Sequence, residues 1–157
     1  MVSSPLLAAQ EDSKPIIGRT EVVCLPDWGI ALKAKIDTGA YFCSLHVFDM
    51  EPIPGESERV RFRTVDDNGK VHTIEAPVEK YIKVKSSSGR AKRRPAVRTR
   101  LCLAGQEIDA QISLTDRSNM RFPMLIGRKI LKGRVLVDPD LVRSQKSACC
   151  RSSLPKD

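Results

Sequence analysis

At residues 36–40 the chain reads Ile-Asp-Thr-Gly-Ala. An acid at the end of an apolar run, followed at once by a hydroxyl residue and a glycine, has two ordinary uses. Asp37 can accept backbone N–H groups as a strand-to-turn cap. It can also be carried into a cleft and act there as a general acid or base. A second group with chemical potential follows directly. Cys43 and His46 are spaced as ligands could be, and Asp49 or His72 could join them around a metal. Nucleophilic catalysis by Cys43 with His46 is disfavoured, because an offset of three on one strand sends the two side chains to opposite faces. No HExxH and no GxxxxGK[ST] occurs in the chain, so zinc and nucleotide chemistry have no motif behind them.

The elements that must position these residues are strands. Thr20–Leu25 alternates, and Pro26, Asp27 and Gly29 turn the chain. In Ile30–Ile36 the residues Ile30, Leu32, Ala34 and Ile36 face one side, with Lys33 and Lys35 on the other. Leu45–Phe48 is a further strand, and Glu51–Gly55, with two prolines, is expected to be loop. Arg59–Val65 and Lys70–Ala76 form a hairpin about Asn68-Gly69, a pair suited to positive φ. Glu79–Lys85 and Pro95–Leu103 form another, with a polar tip near Ser86–Gly89. Ile108–Leu114, Met124–Ile126 and Arg134–Val137 complete the strands, with a brief helical turn at Gly127–Leu131. Short strands at this spacing predict an all-β sandwich or barrel. Residues 1–14 read as a flexible leader or signal remnant, 15–140 as one domain, and 141–157 as a flexible tail.

The 157 residues are enough for one domain with its own core. Lys plus Arg number 27 against 19 Asp plus Glu, a formal charge of +8, which favours anionic partners. Aromatic residues are not interleaved with the basic ones, which argues against nucleic acid. No apolar run is long enough to span a membrane. Five cysteines without CxxC or regular spacing argue against a disulfide framework or a zinc knot. Mostly reduced thiols are therefore expected. That favours the cytoplasm, or the periplasm if the N-terminus is a trimmed signal.

The Asp37-Thr38-Gly39-Ala40 run resembles the active-site loop of aspartic proteases. Downstream, Phe122-Pro123-Met124-Leu125-Ile126-Gly127-Arg128-Lys129-Ile130-Leu131 resembles the second retropepsin signature, an apolar strand leading through Gly-Arg-x-x-Leu into a short C-terminal helix. IDTGAxxxSLH, KSSSGRAKRRPAVRTRL and SLTDRSNMRFPMLIGRxxLKGRVLVDP together are similar to a bacterial family labelled ATP-dependent zinc proteases and associated with the RimK glutamate ligase. The resemblance covers roughly residues 16–140 and implies a retropepsin-like acid-protease fold, an all-β, closed or partly open β-barrel with one short C-terminal helix.

It also implies chemistry. Two carboxylates facing one water share a proton, one acting as base and the other as acid. The chain has one DTG, so the second acid comes from another copy in a two-fold homodimer. Asp37 is then the catalytic acid, Thr38 joins the two loops, and Gly39 permits close approach. Ala40 and Tyr41 border the substrate, while Ser88, Gly89 and Arg90 form a flap tip. Gly127, Arg128 and Leu131 are the structural motif behind the loop. The substrate is a peptide or protein, and the basic Lys80–Arg100 stretch suits an acidic or glutamate-tagged one.

Tyr41 stands where viral enzymes place the acid that pairs with this arginine, so Arg128 needs another partner. Lys129 replaces the usual Asn or Asp, and Tyr41-Phe42 replaces a common Arg-Thr. No cofactor is expected from the residues, although the family label names zinc. Two other readings remain at this level: a catalytically inactive β-barrel module that binds acidic segments, and a zinc-dependent protease.

Overall fold

The computed structural model describes residues 13–85, 88–145 and 148–150. In chain order the strands are β1 (Ile16–Ile17), β2 (Thr20–Leu25), β3 (Ile30–Ile36), β4 (Cys43–His46), β5 (Phe48–Ile53) and β6 (Arg59–Val65). There follow β7 (Val71–Pro77), β8 (Lys80–Lys85), β9 (Ala91–Leu103), β10 (Gln106–Thr115) and β11 (Met124–Ile126). One short helix, α1 (Arg128–Leu131), then precedes β12 (Leu136–Val137).

The fold is the expected all-β one. Six strands pair in the order β10-β4-β11-β3-β2-β9, and β9 returns to β10, so the sheet closes on itself. β8 hangs on the outer end of β9, and β5-β6-β7 forms a separate three-stranded sheet. Closure removes exposed edges. It is thinnest between β2 and β9, which meet at one register pair, Cys24 opposite Cys102.

Alternation along the strands fills the interior. Leu25, Ile30, Leu32, Leu45, Leu101, Ile112, Leu114, Met124 and Ile126 are all fully buried. Phe62, on β6, reaches into the same core and meets the Trp28 ring edge-on at 5.6 Å. This contact ties the small sheet to the closed one. The Asn68-Gly69 turn forms as expected. Gly69 has φ +80°, and the Asp66 carboxylate accepts the Asn68 and Lys70 amides.

Three expectations need correction. Glu51 and Pro52 lie in strand β5, not in a loop; β5 is an edge strand, where a missing N–H costs little. The thiols are not mostly reduced: Cys24 is bonded to Cys150 and Cys102 to Cys149, leaving Cys43 as the free, buried one. The argument from reduced thiols to the cytoplasm loses its premise. Ordered packing also continues past residue 140. The Leu141 carbonyl accepts from the Arg19 amide, and Arg143 donates to Thr20. Residues 1–12 and 151–157 lie outside the described residues. No helix among the described residues is long and apolar enough to cross a membrane.

Truncating Phe62 removes the largest side chain of the small sheet buried in the shared core. Phe62→Ala is expected to cost about 3–5 kcal/mol, read as a lower urea midpoint with unchanged slope.

Candidate active site

The 37–42 loop joins β3 to β4, and β11 lies between those two strands. It runs parallel to β3, pairing Ile126 with Ile36, and antiparallel to β4, pairing Met124 with Leu45. The two sequence motifs, some ninety residues apart, therefore meet in space. The Asp37 amide donates to the Ile126 carbonyl at 2.9 Å. The Arg128 and Lys129 amides, at the start of α1, donate to the carbonyls of Ala40 and Tyr41 at 2.8 and 3.0 Å. Gly127 is required by this approach: a Cβ there would lie 2.6 Å from the Phe42 carbonyl oxygen and 2.7 Å from that of Tyr41.

Arg128 finds its partner inside the loop. Its Nη1 donates to the Thr38 carbonyl at 2.8 Å, and its guanidinium lies 6.0 Å from the centre of the Tyr41 ring. Lys129 stands 5.8 Å from the Phe42 ring and donates to Gln111 Oε1. The departures from the viral pattern are thus matched to one another. Aromatic faces at 41 and 42 receive the cations at 128 and 129.

Held from behind, the loop presents its tip outward. Thr38, Gly39 and Tyr41 are exposed, and the Asp37 side chain is 27% exposed. Asp37 Oδ1 accepts the Gly39 amide at 2.9 Å. A Cβ on Gly39 would press on that same oxygen at 3.1 Å. Oδ2 faces Lys35 Nζ at 3.6 Å. Lys35 lies two residues back on the same strand face, and its side chain is 53% exposed. So solvated a contact is weak and does not lock the acid.

Arg117 adds positive charge near the acid, and Arg94 lies close to Arg117. Arg117 is half-buried, donating Nε to the Phe122 carbonyl and Nη1 to Ser44 Oγ. Burial lowers its pKa first and the Arg94 charge second, while the Asp37 charge acts in the opposite sense. Arg94, on β9, has a buried Nε without a hydrogen-bond partner, and burial lowers its pKa too. Neither arginine makes an ion pair with a carboxylate of the described residues. Arg94 lines a cleft of about 470 Å³ with His46, Lys92, Arg93, Asp116 and others. A second cleft, of about 620 Å³, is lined by Arg19, Lys33, Lys35, Arg121, Arg143 and a single acid, Asp67, among others.

Of the sequence-predicted residues, Asp37, Thr38, Gly39, Ala40 and Tyr41 share the loop, with Gly127 and Arg128 packed against it. Leu131 is buried in the core at the end of α1. Ser88, Gly89 and Arg90 form the exposed tip of the β8–β9 hairpin, where Gly89 has φ +80°. They line neither cleft; Ser86 and Ser87 lie outside the described residues. Sequence reasoning missed Lys35 and Arg117 as neighbours of the acid, and took Arg94 only as one of a basic run. The strand period could have flagged Lys35, which shares a face with Asp37.

The residues proposed for zinc do not fit it. Cys43 is buried, with its pKa raised to about 11 by burial. His46 Nδ1 accepts the Arg117 amide at 2.8 Å. His72 is spent on Asp66 at 2.7 Å. No cluster of three ligands for a metal is found among the described residues.

A family model described as RimB-like, retropepsin-like aspartic endopeptidase RimB, matches residues 16–148. The chain belongs to that family. A probable alpha-L-glutamate ligase of Parasynechococcus marenigrum is 36% identical over 132 residues, 81% of this chain and 28% of the relative. Another, from Desulfotalea psychrophila, is 33% identical over 85% of this chain and 30% of the relative. The chain therefore spans under a third of these relatives' length. The crystal structure of a Legionella pneumophila protein of unknown function superposes with a TM-score of 0.72 at 29% identity, covering 85% of this chain and all of that one. The fold and motif geometry are those of an aspartic endopeptidase family.

Gly127→Ala drives a methyl group into two backbone carbonyls. It is expected to lower stability by about 1–3 kcal/mol, measured by urea unfolding. A change below about 0.5 kcal/mol would mean that the loop is not held this way.

Proposed function

We propose that this protein is an aspartic endopeptidase that acts as a two-fold homodimer on acidic, glutamate-rich segments. The observation that carries the reading is Asp37 itself, partly exposed on a loop braced from behind by Gly127 and Arg128. One chain supplies one such acid, and the exposed Tyr41 beside it, 51% accessible, offers apolar surface for a second copy to cover.

In the dimer, two Asp37 carboxyls share one proton, since like charges that close do not both ionise readily. The ionised member takes a proton from a water held between them, and the water oxygen attacks the peptide carbonyl. The protonated member supports the carbonyl oxygen. A proton then passes to the leaving nitrogen as the C–N bond breaks, giving a carboxylate and an amine. The reading requires no metal. Lys35, being exposed, turns toward solvent as the partner acid approaches.

The substrate class rests on charge. Arg117 beside the acid and Arg94 close to Arg117 are cations without a carboxylate of their own, and the wider cleft carries Lys33, Lys35, Arg19, Arg121 and Arg143. Glutamate side chains would supply the missing counter-ions. The family's likeness to a segment of proteins named glutamate ligases is in keeping with a glutamate polymer as the shared material.

Asp37→Asn is expected to lower cleavage of a glutamate-rich peptide at least about 10³-fold while leaving the fold and peptide binding intact. Wild-type protein that binds the peptide but leaves it uncut across pH and concentration would instead be a binding module. Arg94→Gln is expected to raise KM for that peptide about tenfold with kcat little changed, and to flatten the salt dependence of binding. An unchanged KM would remove Arg94 from recognition.

A further inference from the structure

Four of the five cysteines gather at the seam where the closed sheet is thinnest. Cys24 on β2 and Cys102 on β9 are the single register pair joining those strands. Two successive residues of the C-terminal segment reach them: Cys150 bonds Cys24, and Cys149 bonds Cys102, with Cα separations of 5.4 and 6.1 Å. Covalently, the path runs from β2 through Cys150 and Cys149 to β9. The vicinal pair is a bridge across the seam.

A second anchor lies just before it. Glu21, on β2, is a carboxylate only 1% exposed. It accepts from Ser144 N at 3.0 Å, Ser144 Oγ at 2.6 Å and Gln145 N at 3.3 Å, and from Gly18 N at 2.8 Å. Gly18, whose amide donates to Glu21, has no room for a Cβ because the Leu141 carbonyl packs on it. The same segment contributes Val142 and Arg143 to the wall of the cleft that contains Lys35. The bridge therefore holds both a seam of the fold and one side of the basic cleft next to Asp37.

We infer that these four cysteines form a thiol–disulfide site, through which a dithiol reductant unlatches the C-terminal segment from the β2–β9 seam. Cys24, Cys102 and Cys150 are fully buried, whereas Cys149 is half-buried. Attack begins at Cys149: a thiolate of the reductant bonds its Sγ and Cys102 leaves as thiolate. The second thiol of the reductant resolves this mixed disulfide, freeing Cys149 and leaving the reductant oxidised. The Cys24–Cys150 bond opens in the same way. In total, two dithiols are oxidised and four protein thiols form, with four electrons and four protons transferred. Two of the groups so freed sit on the strands, at the one register pair that joins β2 to β9. This inference does not depend on the peptidase reading.

The test uses the full chain prepared in a glutathione redox buffer, then treated with dithiothreitol. Denaturing alkylation with mass spectrometry is expected to count one free thiol before treatment, Cys43, and five after. Peptide mapping is expected to find Cys24 joined to Cys150 and Cys102 to Cys149. On reduction, the amides of Ser144 and Gln145, and those flanking Cys24 and Cys102, are expected to exchange hydrogen at least tenfold faster, with β3, β10 and β11 unchanged. The double variant Cys149→Ser/Cys150→Ser, which leaves both strands intact, is expected to exchange at the fast rate without reductant and to ignore it. Five free thiols in redox buffer, a Cys24–Cys102 pairing, equal exchange before and after reduction, or a stoichiometric zinc ion held by the four thiols would each overturn the inference.

Discussion

The hydrogen bond from the Asp37 amide to the Ile126 carbonyl is the constraint on which the site depends. It fixes the first residue of the 37–42 loop to the last residue of β11, and it exists because β11 is inserted between the two strands that enter and leave the loop. Everything nearby follows from that insertion. Gly127 must lack a side chain because the loop's carbonyls lie against it. Arg128 and Lys129 donate into the loop with their amides while their side chains cover Tyr41 and Phe42. The acid is consequently placed by backbone contacts that do not depend on its own charge.

Electrostatics determine what kind of ligand such a site attracts. Many of this protein's surface charges are paired. Arg61 meets Glu51 and Glu75, Arg63 meets Asp49, Arg98 meets Glu79, and Arg100 meets Asp27 and Glu107. These pairs belong to solvated strands and contribute little individually. Arg94 and Arg117 differ: they are partly withdrawn from water and have no such partner. A cation in that condition is costly to hold without an anion beside it.

The strands were readable because period-two alternation and turn residues agree along most of the chain, from Thr20–Leu25 to Met124–Ile126. The site was readable because two short motifs each need particular residues, an acid before a glycine and a glycine before an arginine. What stayed hidden lacked a local signal. Cys24 and Cys150 are 126 residues apart in sequence, and no spacing rule links them. Glu21 sits in a β-branched strand like an ordinary exposed alternate, yet it faces inward to hold Ser144 and Gln145. Arg117 lies in a basic run whose composition does not say which guanidinium stands near the acid. Pro52 read as a loop residue because composition carries no information about whether a strand is at an edge.

Subunit mixing tests the shared-acid account most directly. Wild-type protein is combined with increasing Asp37→Asn protein under conditions of subunit exchange, and cleavage of a glutamate-rich peptide is followed at constant total protein. If each active centre needs one Asp37 from each of two copies, activity falls as the square of the wild-type fraction, because mixed dimers are inactive. Activity that falls only in direct proportion to that fraction would mean that each chain cleaves alone, contradicting the account.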